Sequence, residues 1–267
     1  MTNLVSRVLV GLVGLPVVLG VLWLGGWWLF GLVVAVGLIA VHEFVTMARP
    51  LRPLAPAVYA GVVLALVGAR TGGLDWMLAG FLATFVIAFA LNTVADTRVA
   101  ATAAVGSTIL GAAWIGLGLG HLLLARQLAE KPRLLSFTIV LTVFAADTVA
   151  YGVGRVLGRH KLAPRISPGK TWEGLLAGSL AGVFVAFVAL YDTRSTYLAV
   201  WQAVVLGAVV VAASVAGDLF ESSLKRDMEV KDTGRLLGGH GGVLDRIDAL
   251  LFAGVAAYYL VLAFGVG

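Results

Sequence analysis

The chain contains no cysteine, so it can form neither a disulfide framework nor a thiolate metal site. Charge is also scarce, because Asp, Glu, Lys and Arg make up only 12% of the 267 residues, whereas about a quarter is usual in soluble domains. Hydrophobic residues account for 60%, and the mean hydropathy is +1.01. This balance excludes an ordinary soluble domain and predicts a polytopic membrane protein.

The net charge of +5 does not indicate a nucleic acid partner, because no long basic run occurs. In a membrane protein, such a surplus is typical of cytoplasmic loops and of contact with anionic headgroups. Internal repeats and low-complexity segments are absent as well. We therefore expect a single transmembrane domain over residues 1–267, with an apolar helical scaffold in its N-terminal half.

Nine apolar runs are long enough, or nearly so, to cross a membrane, which takes about 20 residues. They cover about residues 7–25, 27–48, 55–70, 74–92, 99–125, 134–156, 172–191, 198–220 and 247–266. The expected fold is therefore all-α and polytopic, with about nine transmembrane helices. We interpret the first run as a retained helix, because no small-x-small cleavage site ends it as in a signal peptide.

The distribution of Lys and Arg sets the expected orientation of these helices. With nine crossings, 14 of the 19 basic residues fall on the side of the N-terminus and 5 on the other side. The positive-inside rule then places the N-terminus in the cytoplasm and the C-terminus outside, in the cell membrane. Two polar loops, of about residues 155–172 and 217–248, would both face the cytoplasm, where nucleotides are available.

Three aspartates around the second polar loop are candidates for a metal site. Asp218 follows the eighth run, and Asp245 and Asp248 are spaced i, i+3 at the start of the ninth, so that they share a helical face. Ligands that are all oxygen suit Mg²⁺ bound together with substrate phosphates. Alternatively, Asp245 caps the ninth helix and Asp248 interacts with its dipole. Asp218 has no such role, because negative charge is unfavourable at a helix C-terminus.

Cations, glycines and one histidine stand between these aspartates, in an arrangement suited to polyphosphate. If the eighth helix continues past residue 217, Asp218, Glu221, Ser222 and Lys225 lie on one face. Arg can bind phosphate with two prongs, Lys adds a point charge, and glycine lets backbone N–H groups approach anions. The candidate phosphate ligands are Lys225, Arg226, Lys231, Arg235, Gly238, Gly239, Gly241 and Gly242. His240 could donate to phosphate or transfer a proton, although a lone histidine is more often structural.

The first polar loop ends in a second candidate phosphate site. Gly169-Lys170-Thr171 resembles the end of a P-loop, but Pro164 stands where that motif needs glycine and no strand is expected before it. The segment instead predicts a turn into the seventh helix, whose N-terminus attracts phosphate. The candidates there are Ser167, Lys170, Thr171 and Glu173. Ser167 or Thr171 can equally be a helix cap, and Glu173 can favour the helix dipole.

Two acidic positions lie within apolar runs. Asp147 shares a face of the sixth run with Tyr151 and Arg155. Inserting a carboxylate in the middle of a membrane-spanning helix costs about 2.5–3.5 kcal/mol on insertion scales. A buried partner or a function is therefore expected for Asp147. His42 and Glu43, near the cytoplasmic end of the second run, are explained about equally well by interfacial position, by helix pairing and by function.

These motifs together resemble the phosphatidate cytidylyltransferases, or CDP-diacylglycerol synthases. The main pattern reads Ser222-Ser223-Leu224-Lys225-Arg226, Lys231-Asp232, His240-Gly241-Gly242, Asp245-Arg246 and Asp248. Two earlier segments also match, Asp147-Thr148-x-Ala150-Tyr151 and Ser167-Pro168-x-Lys170-Thr171-x-Glu173-Gly174. The resemblance covers roughly the C-terminal half, whereas the N-terminal half is similar only in being apolar helices.

The resemblance implies an integral membrane enzyme that converts CTP and phosphatidate into CDP-diacylglycerol and pyrophosphate. It implies Mg²⁺, a second monovalent cation such as K⁺, and a homodimer. The implied cation ligands are Asp218, Asp245 and Asp248, which join Lys225 and Arg226 as catalytic candidates. The implied substrate-binding residues are Asp147, Ser167, Lys170, Thr171, Glu173, Lys231, Asp232, Arg235, His240, Gly241, Gly242 and Arg246.

Three other functions remain open. A phosphatidyltransferase that consumes a CDP-lipid would carry an Asp-Gly pair at the start of its motif, and none occurs here. A kinase or cytidylyltransferase for a polyprenyl or archaeal lipid would share the phosphate chemistry. A secondary transporter of a phosphorylated solute could use Asp147, but transporters tend to show inverted repeats and broken helices at the midplane. The concentration of charge on one expected face favours an enzyme.

Overall fold

The computed structural model describes residues 14, 16–94, 100–128, 130–234, 236 and 241–266. Its elements, in chain order, are α1 (Gly26–Met47), a 3-10 turn (Arg49–Leu51), α2 (Ala55–Val94), α3 (Ala101–Ala125), α4 (Pro132–Leu157), β1 (Lys161–Ala163), β2 (Ser167–Thr171), α5 (Trp172–Tyr191), α6 (Val200–Asp227) and α7 (Leu244–Ala263). Within the described ranges, seven helices are long and apolar enough to cross a membrane. The all-α, multi-pass class is therefore confirmed. Much of the first predicted run lies outside the described residues, although residues 16–24 are helical.

The chain forms two compact units. The first comprises Met1–Leu124 and Asp227–Ile247, and the second comprises Ala125–Arg226 and Asp248–Gly267. The first unit holds α1, α2, nearly all of α3 and the segment that leads into α7. The second holds α4, α5, the two strands, nearly all of α6 and the remainder of α7. The single domain expected from the sequence stays a prediction.

In the first unit, α2 consists of two antiparallel arms. Gly73 has φ 73° and ψ −152°, which no α-helix accommodates, and the chain reverses its direction there. Glycine also lets the arms touch, because a Cβ on Gly80 would overlap the backbone of Leu64. The third and fourth predicted runs, 55–70 and 74–92, are thus separate helices of one hairpin, as the sequence indicated.

A π-helical segment, Ala112–Leu117, interrupts the α-helical hydrogen bonding of α3. Trp114 in this segment packs edge-on against Phe44 of α1, with ring centroids 6.3 Å apart. Gly111 makes room for this contact, since a Cβ at that position would overlap the Phe44 ring. The end of α1, where the buried Glu43 lies, is therefore anchored against α3.

In the second unit, α4 and α5 pack closely through glycines spaced four residues apart on α5. A Cβ on Gly174 would lie 2.6 Å from the carbonyl oxygen of Ala150, and a Cβ on Gly178 would lie 2.6 Å from that of Ala146. Such small residues let helix backbones approach each other in membranes, where van der Waals packing drives association. The close contact brings the C-terminal half of α4 beside the start of α5.

The segment between α4 and α5 is an antiparallel β-hairpin, which corrects the expectation of an irregular loop over residues 155–172. Lys161 lies opposite Thr171, and Ala163 lies opposite Ser167. Pairing satisfies backbone groups that a short connection at a membrane surface would otherwise leave to water. The hairpin gives β2 a defined direction, and its last residues run straight into α5.

Exposed tryptophans of the first unit lie at the start of α1 and beside the Gly73 reversal of α2. Trp27 and Trp28, at the start of α1, are 67% and 71% exposed, and Trp76, just after the Gly73 reversal, is 67% exposed. The guanidinium of Arg70 lies 4.7 Å from the centroid of the Trp27 ring, which places the start of α1 near the Gly73 reversal. Trp is enriched where membrane proteins cross the headgroup region. These residues therefore indicate one membrane interface.

Candidate active site

The last turns of α6 carry a polar face. The Ser222 hydroxyl donates to Oδ1 of Asp218 at 3.3 Å, and Nζ of Lys225 donates to Oε2 of Glu221 at 2.8 Å. Both are i, i+4 pairs, so the predicted common face is confirmed. Residues 217–227, which we expected to belong to a loop, are helical. Side chains that pair along the helix and the absence of proline explain why the helix continues past its apolar part.

The β-hairpin brings a lysine to this face. Nζ of Lys170, at the end of β2, lies 2.7 Å from Oδ2 of Asp218, in a half-buried ion pair. Nε of Arg226 donates to the carbonyl oxygen of Ile166 at 3.2 Å, which fastens the hairpin to α6. Asp147 on α4 lies within electrostatic range of both Lys170 and Asp218. The structure thus brings together four of the predicted site residues.

Other residues of the hairpin region have local structural partners. The Thr171 hydroxyl accepts a hydrogen bond from the backbone N–H of Gly174 at 3.1 Å, so Thr171 is the N-cap of α5. The Glu173 carboxylate accepts the backbone N–H of His160 and lies 2.7 Å from Nδ1 of the same residue. Ser167 is half-buried in the first position of β2. Substrate contacts by these residues stay predictions.

Asp248 of α7 lies in a carboxyl cluster of the second unit. It is only 6% exposed, and its carboxyl group lies close to those of Glu221 and Asp218. Gly217 permits this approach, because a Cβ there would lie 2.6 Å from the carbonyl oxygen of Asp248. Ionised carboxylates only accept hydrogen bonds, so the Asp248–Glu221 pair needs either a shared proton or a cation in its place.

This cluster fits the ligand chemistry of Mg²⁺. The cation prefers oxygen ligands, and it is usually held by one or two carboxylates together with substrate phosphates. Across the described part of the chain, no group of three or more His, Asp or Glu side chains is arranged to hold a metal ion by itself. Asp218, Glu221 and Asp248 nevertheless supply carboxylate oxygens, the kind of ligand atom that Mg²⁺ combines with substrate phosphates.

Asp245 makes a different set of contacts, in the first unit. Its Oδ2 accepts hydrogen bonds from the backbone N–H of Thr233 at 3.0 Å, from the Thr233 hydroxyl at 2.9 Å and from the backbone N–H of Gly242 at 2.7 Å. Gly241 has φ +77°, and a Cβ there would lie 2.6 Å from the same oxygen. One oxygen of Asp245 thus links Thr233 to Gly242, which are the two ends of the glycine-rich segment (residues 233–242) before α7.

Glu43 of α1 contacts the same segment. Its Oε1 accepts the backbone N–H of Val243 at 3.0 Å, and its Oε2 accepts that of Leu244 at 2.8 Å. The side chain is buried, at 4% exposure. The carboxylate therefore satisfies two of the N–H groups that the start of α7 would otherwise leave without intrahelical partners.

The remaining predicted residues of this segment are placed as follows. Lys231, Asp232 and Arg246 are exposed, whereas Gly241 and Gly242 are buried. Arg235, Gly238, Gly239 and His240 lie outside the described residues.

Sequence reasoning missed Glu221 as a site residue and left Glu43 without an assigned role. Glu221 is fully buried, and its spacing from Asp218 already placed it on the polar face. For Glu43, the available sign was an acidic residue in a helix that is largely apolar. The partners of Glu43 are 200 and 201 residues away in the sequence, so no local pattern could identify them.

Comparison with known proteins identifies relatives of this chain. Residues 5–264 match the model of the cytidylyltransferase family. The phosphatidate cytidylyltransferase of Staphylococcus haemolyticus is 30% identical over 250 residues, which cover 92% of this chain and 94% of that protein.

Two further relatives are more similar over shorter alignments. The phosphatidate cytidylyltransferase of Haemophilus influenzae is 44% identical over 118 residues, or 43% of this chain and 41% of that protein. The enzyme of the same name from Mycobacterium leprae is 40% identical over 128 residues, or 47% of this chain and 39% of that protein. In these two alignments the chain spans about two fifths of the relative's length. Because the family model covers nearly the whole chain, and one relative aligns with almost all of it, the chain belongs to the cytidylyltransferase family, together with the phosphatidate cytidylyltransferases.

Proposed function

We propose that this protein transfers the cytidylyl group of CTP to phosphatidate, with CDP-diacylglycerol and pyrophosphate as products. The observation that carries the proposal is the juxtaposition of Lys170, Asp218 and Asp248 with Glu221 in a chain of this family. A lysine beside a buried carboxyl cluster suits a reaction in which two phosphate-bearing anions and a divalent cation must meet.

In the proposed reaction, an oxygen of the phosphatidate phosphate attacks the α-phosphorus of CTP. A new P–O bond forms on one side while the bond to the β-phosphate oxygen breaks on the other, and pyrophosphate leaves with the bonding electrons. Positioning and charge stabilisation supply most of the catalysis in such transfers. A phosphate monoester is already largely ionised at neutral pH, so the attacking oxygen needs no strong base, and a catalytic base role for His240 is unnecessary.

The residues of the second unit would have distinct roles. Lys170 would contact a phosphate oxygen, leaving Asp218 for a cation, and Lys225 and Arg226 would neutralise pyrophosphate as it departs. Asp218 and Asp248 would hold Mg²⁺. Asp245, three residues before Asp248 on the same helix, would hold the backbone of the segment before α7 in place. When bound, Mg²⁺ would supply positive charge to the reacting phosphate oxygens.

We further propose nine membrane crossings, with the N-terminus and both polar segments in the cytoplasm and the C-terminus outside. The distribution of basic residues and the exposed tryptophans at the start of α1 and beside the Gly73 reversal support this topology. The chain has no cysteine, so single cysteines can be introduced without background. A cysteine at residue 161 should react with membrane-impermeant maleimide only in opened cells, and one at residue 192 should react in intact cells. The opposite pattern would reverse the orientation.

The activity is tested by pyrophosphate release from the purified protein in detergent. Phosphatidate, CTP and Mg²⁺ are each omitted in turn, diacylglycerol replaces phosphatidate as a control, and K⁺ is exchanged for Na⁺ to test the second cation. We expect release only when all three components are present. Release from a polyprenyl phosphate, but not from phosphatidate, would change the lipid substrate. Absence of release with every phosphorylated lipid would favour transport. The molar mass of the same sample tests the proposed homodimer.

A further inference from the structure

We propose that Glu43 is a positioning residue of the reaction. Its carboxylate fixes the start of α7 against α1 and thereby sets the position of Asp245. For its kinetic consequence the inference rests on the proposed function, but its structural consequence can be measured without any substrate.

The contact is built like a helix cap whose capping group comes from another helix. The first N–H groups of an α-helix have no intrahelical acceptors. Each oxygen of Glu43 accepts one N–H of neighbouring residues at the start of α7, from Val243 at 3.0 Å and from Leu244 at 2.8 Å. A carboxylate is also favoured beside the positive end of the helix dipole. No neutral side chain offers two equivalent acceptors at this position.

Two glycines fit closely around the carboxylate. A Cβ on Gly234 would overlap Oε1 of Glu43, and a Cβ on Gly242 would overlap Oε2. One glycine lies before, and the other after, the central part of the glycine-rich segment. Gly234 and Gly242 therefore both lie against Glu43, and a side chain at either position would displace the carboxylate.

The helix that carries Glu43 is itself held in place. The next residue, Phe44, is 2% exposed and packs against Trp114 in the π-helical segment of α3. Val41 and Ala40 are completely buried. Because the end of α1 is anchored in the core of the first unit, the position of the Glu43 carboxylate is set by that core and not by the glycine-rich segment.

The backbone links Glu43 to Asp245. Gly242, which touches Glu43, donates its N–H to Oδ2 of Asp245 at 2.7 Å, and Leu244 is the residue just before Asp245. Movement of residues 242–244 away from Glu43 would thus carry Asp245 with it. Asp245 lies at the start of the helix that carries Asp248, a proposed ligand of the reacting cation, so this movement would lower the rate more than it would lower the affinity for CTP.

Substitutions that change only the acceptors test this role. Glu43→Gln keeps the shape but turns an amide NH₂ toward a backbone N–H, and Glu43→Asp keeps both acceptors on a side chain that is one methylene shorter. Hydrogen bonds to charged groups are worth about 10- to 100-fold in an equilibrium. We expect Glu43→Gln to lower kcat by about 10- to 100-fold and to change the KM for CTP by less than about 3-fold. Glu43→Asp should recover part of the lost kcat. His42→Gln, at the exposed neighbouring position, is the matched control and should retain normal kinetics.

Hydrogen–deuterium exchange of the purified full-length protein supplies the structural readout. In Glu43→Gln, the amides of residues 243–244 should exchange at least about 10-fold faster, whereas those of residues 112–120 in α3 should keep their protection. Unchanged protection at residues 243–244, or faster exchange with a normal kcat, would overturn the proposal. If Glu43→Gln unfolds, Glu43→Asp is measured by the same two criteria. If the wild-type protein does not turn over CTP, the proposed function fails, and the exchange data still decide whether Glu43 holds α7.

Discussion

Carboxylates in the two compact units are satisfied in different ways. In the first unit, Glu43 and Asp245 accept hydrogen bonds from backbone N–H groups and from one hydroxyl. In the second unit, Asp218 forms an ion pair with Lys170, and Asp248 is buried close to the carboxyl group of Glu221. Both sets consist of carboxylates in a largely apolar chain, so residue type alone does not distinguish them.

The difference separates carboxylates that hold the backbone from carboxylates that are suited to cations. A backbone N–H is a fixed neutral donor, and a carboxylate that accepts several of them gives rigidity to a loop. A buried pair of carboxyl groups needs a proton or a cation between them, and a lysine partner can be replaced by another cation. We therefore expect the second set to control the chemistry and the first set to control its geometry.

The largest effect is expected from Asp248→Asn. The new amide can donate to Glu221, so that the buried contact survives without a shared proton, but the ligand charge is lost. Pyrophosphate release should fall by about 1000-fold, while the elution volume in detergent stays normal. Asp192→Asn, the same change at an exposed position after α5, is the control and should be active. Near-normal turnover of Asp248→Asn would remove Asp248 from the proposed cation site.

Separating Lys170 from Asp218 should have the next largest effect. Lys170→Gln and Asp218→Asn should each reduce kcat/KM by about 100-fold. Because the two residues form one ion pair, the double variant should lose much less than the product of the two single losses. Lys161→Gln, at an exposed position in the same hairpin, should change kcat/KM by less than about 3-fold. Strict additivity would show that the pair does not act as a unit.

A smaller effect is expected when a methyl group is added beside the backbone-binding carboxylates. Gly242→Ala places a Cβ against the Glu43 carboxylate and should lower kcat by about 10-fold. Gly169→Ala, in the β-hairpin, has open space around the new Cβ and should behave like wild type. Equal kinetics for the two variants would contradict the tight fit around Glu43.

The smallest effect concerns the cap of α5. Thr171→Val removes the hydroxyl that accepts the Gly174 N–H and should destabilise the protein by about 1 kcal/mol. For a chain of this size that change corresponds to a decrease in Tm of about 2–4 °C. Thr171→Ser, which keeps the hydroxyl, should retain the Tm. A loss of activity in Thr171→Val that greatly exceeds its loss of stability would instead indicate the predicted substrate contact.

Local patterns predicted a large part of the fold. Apolar length identified the spanning helices, and the separate runs at residues 55–70 and 74–92 correctly predicted the two arms of α2. The i, i+4 spacing from Asp218 to Ser222 anticipated the polar face of α6. The β-hairpin was missed, because its strands are three and five residues long and carry Pro168 and Gly169, which are typical of turns.

Sequence alone determined that this is a multi-pass membrane protein with acidic and basic residues confined to a few segments, because lipid admits few charges and the positions of charged residues can be read directly along the chain. Only the tertiary structure decided what each carboxylate contacts. Glu43 and the backbone N–H donors that it binds are 200 and 201 residues apart in the sequence. Lys170 and Asp218 form an ion pair although the whole of α5 separates them in the sequence. Such contacts depend on how helices pack, and small residues that permit close packing do not specify in advance which polar side chains they bring together.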